Sequence, residues 1–150
     1  MGFLSDVFSL AGGRYPVTSR SCLGTWSIVQ GAIYMLHGLS KMLVPKLWSM
    51  IMLSDEGSAM EGWFRAFGFM VFYVGVLYVM FGIADNKQFS AQSVFTRCVF
   101  VPSLFAAFLG FNGYIPVGVA IYYGLADPTF AVITFVLYQK AMTDNTVKGR

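Results

Sequence analysis

Charge is what this sequence has least of. Asp, Glu, Lys and Arg make up 11% of its 150 residues, against about 25% in ordinary soluble domains, too few to cover a globule that faces water. Cysteine is nearly missing too. Cys22 and Cys98 lie in different apolar segments with no CxxC, which excludes a redox dithiol or a zinc knuckle and leaves both as packing residues. The single histidine, His37, has no second ligand at a recognisable spacing. Haem and metal are therefore not expected, and an interfacial hydrogen-bonding role is. There is no HExxH, no Gly-rich phosphate loop and no pair of carboxylates in one apolar core, so no catalytic residue, cofactor or enzymatic activity is expected. Without a basic stripe interleaved with aromatics, nucleic acid is not an expected partner either.

What is present is apolar. Hydrophobic residues make up 57% of the chain, with 15 Phe, 9 Met and 8 Tyr, and the mean hydropathy is +0.65. The reading is an all-α integral membrane protein: a four-helix bundle in one domain, residues 1–150, with short interfacial amphipathic helices. Spans are expected at about 22–40, 63–84, 93–110 and 115–139, each long enough at 1.5 Å per residue to cross the hydrocarbon. Interfacial segments are expected at 2–10 and 41–53. In the latter, Lys41, Lys46 and Trp48 suit the headgroup level, and Pro45 cannot smoothly continue the preceding span.

The fourth span holds a puzzle, because Asp127 and Pro128 interrupt the run AIYYGLADPTFAVITF. If the pair formed a loop, each flank would be about 12 residues, too short to cross. One span with the pair inside it resolves this. Both termini then share one side, which collects Arg14, Arg20, Lys87, Arg97, Lys140, Lys148 and Arg150. The other side holds Lys41, Lys46 and Arg65, offset by Asp55, Glu56 and Glu61. The positive-inside rule puts the termini on the cytoplasmic or matrix side, with Arg65 as a snorkelling anchor.

Two patterns mark candidate functional residues. Gly24, Gly31 and Gly38 in the first span and Gly68, Gly75 and Gly82 in the second are each spaced by seven, as two closely packed antiparallel helices require. In such a hairpin Gly24 faces Gly82, Gly31 faces Gly75, and Gly38 faces Gly68. The second pattern is a charge pair. Arg97 and Asp127 lie at similar distances before and after the turn near Asn112 and Gly113, so they reach the same depth on adjacent helices as an intramembrane ion pair. An intramembrane carboxylate costs about 2.5 to 3.5 kcal/mol and needs a partner or a role. Ser27, Gln30 and Tyr34 supply further polar lining. Pro128 and Pro102 free the carbonyls of Gly124 and Cys98, so water or cation binding is an alternative to structural pairing.

The segments MLHGLSKML, WFRAFGFMVFYVGVLYVMFGIAD, SVFTRCVFV and YYGLADPTFAVITFVLY resemble small four-span proteins of the DoxX-like group, over residues 22–140. The positions that carry the likeness are Gly38, Lys41, Arg97 and Asp127. The resemblance implies a four-helix bundle in an energy-transducing membrane and transfers no catalytic motif. Together these readings lead to a non-catalytic accessory subunit of a respiratory or ATP-synthase assembly in the mitochondrial inner membrane, favoured over a bacterial plasma membrane. Its expected partners are other membrane subunits and membrane lipids. The alternatives are a small proton-coupled transporter using Asp127 and a quinone-linked redox component.

Overall fold

The structure is a computed structural model, and it describes residues 20–54 and 58–148. The interfacial segment expected at 2–10 lies outside the described residues. Among those described, every regular element is a helix. In chain order they are α1 (Cys22–Leu43), α2 (Pro45–Ile51), α3 (Ser58–Ile83), α4 (Lys87–Gly110) and α5 (Val117–Lys148). Helix α4 is α-helical over Lys87–Phe95 and then winds in wider i→i+5 turns over Thr96–Gly110, with Pro102 inside the wider part.

Three stretches are long and apolar enough to cross a bilayer: Ala59–Ile83, Lys87–Gly110 and Val117–Thr143. Helix α1 has 22 residues but does not join them, because Ser27, Gln30, Tyr34, His37 and Lys41 dilute its apolarity. The structure thus has three helices long and apolar enough to cross a membrane, and the expected fourth span is not among them.

Local chemistry fixes the ends. The Ser21 side chain caps α1 by accepting from the Gly24 amide at 3.1 Å. Ser21 also donates through its hydroxyl to Asp85 Oδ1 at 2.5 Å and through its amide to Asp85 Oδ2 at 3.3 Å. Asp85 sits at φ +49 in the turn after α3, so this contact bolts the α3–α4 turn to the start of α1. Asn86 then caps α4 through the Phe89 amide at 3.0 Å. The turn after α4 reverses at Gly113, φ +70, where a left-handed residue suits glycine.

Helices α1 and α3 form the tightest pair. A methyl group placed on Gly31 would lie 2.6 Å from the Gly75 carbonyl oxygen, and one on Gly75 would lie 2.7 Å from that of Gly31. The same reciprocal approach joins Gly24 with Gly82 and Gly38 with Gly68. Backbones come this close only where both helices lack a side chain, and the resulting van der Waals contact stands in for the hydrophobic effect that lipid cannot supply. Helices α4 and α5 make the second hairpin. At the end of the molecule opposite Asp85, Met52, Phe64, Val119 and Tyr123 form a buried apolar cluster with Trp48 and Phe67 packed against it.

Three expectations change. Lys41 to Leu43 continue α1, so the surface segment shrinks to α2 and the turn after it. There Leu47, Met50, Ile51 and Leu53 face outward while Pro45, Ser49 and Met52 face in. Lys41 itself is fully buried among neighbouring helices rather than turned outward as an anchor would be. Cys22 and Cys98 are both exposed rather than packed inside. In a bilayer the surroundings of a span are as apolar as its interior, so a small thiol gains nothing by turning inward.

Candidate functional site

Helix α1 is a two-faced rod. Its glycines, spaced by seven, meet α3, while two further rows of the same spacing, Ser27–Tyr34–Lys41 and Gln30–His37, turn toward α4 and α5. These rows nucleate a column of polar contacts along the bundle.

The middle of the column is the charge pair. Arg97 Nε lies 3.8 Å from Asp127 Oδ1, and the Tyr34 hydroxyl donates to the same oxygen at 2.7 Å. Gln30 is fully buried. With its side-chain oxygen turned toward the guanidinium, it accepts from Arg97 Nη1 and from Nη2 at 3.0 Å. The guanidinium carbon also sits 4.5 Å from the centre of the Tyr78 ring and 5.1 Å from that of Tyr34, a favourable placement for a cation over an aromatic face. Arg97 is ten residues into α4, about 15 Å along its axis, so the cluster lies deep within the apolar stretch. The structure thus brings Arg97, Asp127, Tyr34 and Gln30 together, and leaves Ser27 a level away, where its hydroxyl is 3.5 Å from that of Ser90.

Sequence reasoning missed a second centre. The Lys41 ammonium donates to the Tyr123 hydroxyl and is ringed by Phe67 at 4.8 Å, Trp48 at 5.0 Å, Tyr122 at 6.0 Å and the Tyr123 ring at 4.6 Å. Among the described residues no carboxylate comes within ion-pair distance of it. His37 Nε2 lies 3.0 Å from the same Tyr123 hydroxyl, and its ring stacks on Tyr122 at 5.4 Å. The signal was the shared spacing of seven from Ser27 and Tyr34 to Lys41. The cage itself draws on α2, α3 and α5 and cannot be seen in any one segment.

The Asp127–Pro128 pair leaves α5 continuous. Thr129, just after the proline, donates to the Leu125 carbonyl at 2.8 Å, and Ser103, just after Pro102, does the same to Val99. Each proline is thus followed by a hydroxyl that bonds back within its own helix. Arg65 donates to the Met42 carbonyl at 3.3 Å, tying the start of α3 to the end of α1. Among the described residues, no group of His, Cys, Asp or Glu converges as a metal site would require.

A groove reaches this centre from the side. Between α3 and the wide-wound part of α4 lies a cavity of about 450 Å³. Met70, Val74 and Leu77 line one wall and Thr96 and Val101 the other, and Tyr34, Arg97 and Asp127 also line it. Met70 and Val74 are exposed on the outer surface, so the groove opens laterally, toward where lipid would lie. No family model, curated protein or solved structure matches the chain.

Proposed function

We propose that the protein is a four-span accessory subunit of an energy-transducing membrane assembly, with α1 as the fourth crossing and a structural rather than catalytic use of its intramembrane charges. The observation that carries this reading is the completeness of the polar column. Among the described residues, no buried side-chain nitrogen or oxygen lacks a hydrogen-bond partner, and the Arg97–Asp127 contact joins α4 to α5 while Tyr34 and Gln30 join both to α1. Charges whose contacts run between three helices hold those helices in place.

The proposed setting is the mitochondrial inner membrane, within a respiratory or ATP-synthase complex and with both termini on the matrix side. Burial of Lys41 and Arg97 removes one charge from each side of the count. Arg14, Arg20, Lys87, Lys140, Lys148 and Arg150 then stand against Lys46 and Arg65, so the excess of basic residues that supports that orientation is unchanged. Native gel electrophoresis after extraction in a mild detergent tests the reading: co-migration with a large assembly is expected, and migration solely as a free small bundle would sink it.

A further inference from the structure

We propose that the groove between α3 and α4 is a binding site for a neutral, lipid-soluble molecule whose head is a hydroxyl group, seated with that hydroxyl on Asp127. The inference stands whether or not the chain belongs to a larger assembly.

The walls select an apolar body and the mouth selects its route. A cavity of about 450 Å³ lies within the range of about 300 to 1,000 Å³ typical of small-molecule sites. Its sides carry Met70, Val74, Leu77 and Val101, and its opening lies along helices whose outer faces are apolar. An occupant arrives from the hydrocarbon rather than from water.

The inner end selects the head. Arg97 and Asp127 cancel in charge, so a full charge of either sign meets no net counter-charge after being stripped of water, which is unfavourable in so apolar a place. Arg97 is 5% exposed in its side chain and is engaged by Asp127 and Gln30. Asp127 is 13% exposed, and both its hydrogen bond with Tyr34 and its contact with Arg97 use Oδ1. Oδ2 is left as the acceptor on a residue that lines the groove. A carboxylate oxygen accepts and does not donate, so the complementary head is a hydroxyl donor. An ether or ester of the same shape brings only acceptors.

The test uses the purified, delipidated full chain in detergent, with ligand binding read by native mass spectrometry. Four probes are compared: oleyl alcohol, oleyl methyl ether, oleate and cholesterol. Saturable binding of one oleyl alcohol or cholesterol molecule per chain is expected, the tighter of the two identifying a flexible or a rigid body. The methyl ether should bind about tenfold more weakly or worse than the alcohol, the scale of one hydrogen bond to a charged group, and oleate should be weaker than the alcohol as well. Val74→Trp and, separately, Met70→Trp fill the mouth without touching the ion pair. At least one of them, with the melting temperature retained, should reduce alcohol binding about tenfold. Equal affinity for alcohol and ether, tighter binding of oleate, no binding of either hydroxyl probe, or unchanged binding in both tryptophan variants would overturn the proposal.

Discussion

The two sides of α1 solve the same problem by opposite means. Toward α3 it presents Gly24, Gly31 and Gly38, and the helices meet because nothing intervenes. Toward α4 and α5 it presents Gln30, Tyr34, His37 and Lys41, and the helices meet through specific polar contacts. Removing side chains gives proximity without much choice of partner. Adding polar ones gives a choice of partner, and leaves gaps where no contact forms. The groove reaches the polar side of α1, where Tyr34, Arg97 and Asp127 line it.

The contrast can be broken most forcefully at Asp127. In Asp127→Asn the Arg97 guanidinium stays buried without its counter-charge, which in buried pairs costs about 3 to 5 kcal/mol. A large fall in thermal stability in detergent is expected, and an unchanged melting temperature would mean that the polar face does not hold the hairpins together. On the glycine face, Gly31→Leu forces a side chain to within 2.6 Å of the Gly75 carbonyl at its first atom. Overpacking of this kind costs about 1 to 3 kcal/mol, again read by thermal unfolding. Gly62→Ala sharpens the comparison, because a methyl there meets nothing within 4 Å and stability should hold or rise slightly. Equal losses in the two variants would dissolve the ladder argument. The smallest change is expected at Lys41→Met. The favourable ring contacts of the ammonium, about 0.5 to 2 kcal/mol, are set against the desolvation of a charge that has no carboxylate partner among the described residues. Stability should change by less than about 1 kcal/mol or increase, and a loss comparable to that of Asp127→Asn would show the cage to be as structural as the ion pair.

What could be read beforehand followed from features that one segment carries whole. The apolar runs marked α3, α4 and α5, although their starts at Ser58, Lys87 and Val117 differ by a few residues from the expected 63, 93 and 115. Helix ends depend on caps such as Asn86 rather than on hydropathy. The facing of Gly24 with Gly82, and the level placement of Arg97 and Asp127, follow from arithmetic on the turns. Lys41 defied the same logic because a lysine at the end of a span looks like an anchor, and only Tyr123, Phe67 and Trp48 from elsewhere make its burial tolerable. The groove was illegible because its lining comes together from α1, α3, α4 and α5, and no one segment carries that combination.

The modest apolarity of α1 has a consequence for biosynthesis. A segment bearing Gln30, His37 and Lys41 has little reason to leave the insertion machinery for lipid by itself, since polar side chains at the centre of a span oppose partitioning. Its glycine partners do not exist until Gly68, Gly75 and Gly82 have been synthesised, and its polar partners Arg97, Tyr123 and Asp127 come later still. Among the described helices α1 is made first, and it can complete its glycine and polar contacts only after the chain that follows it has been made.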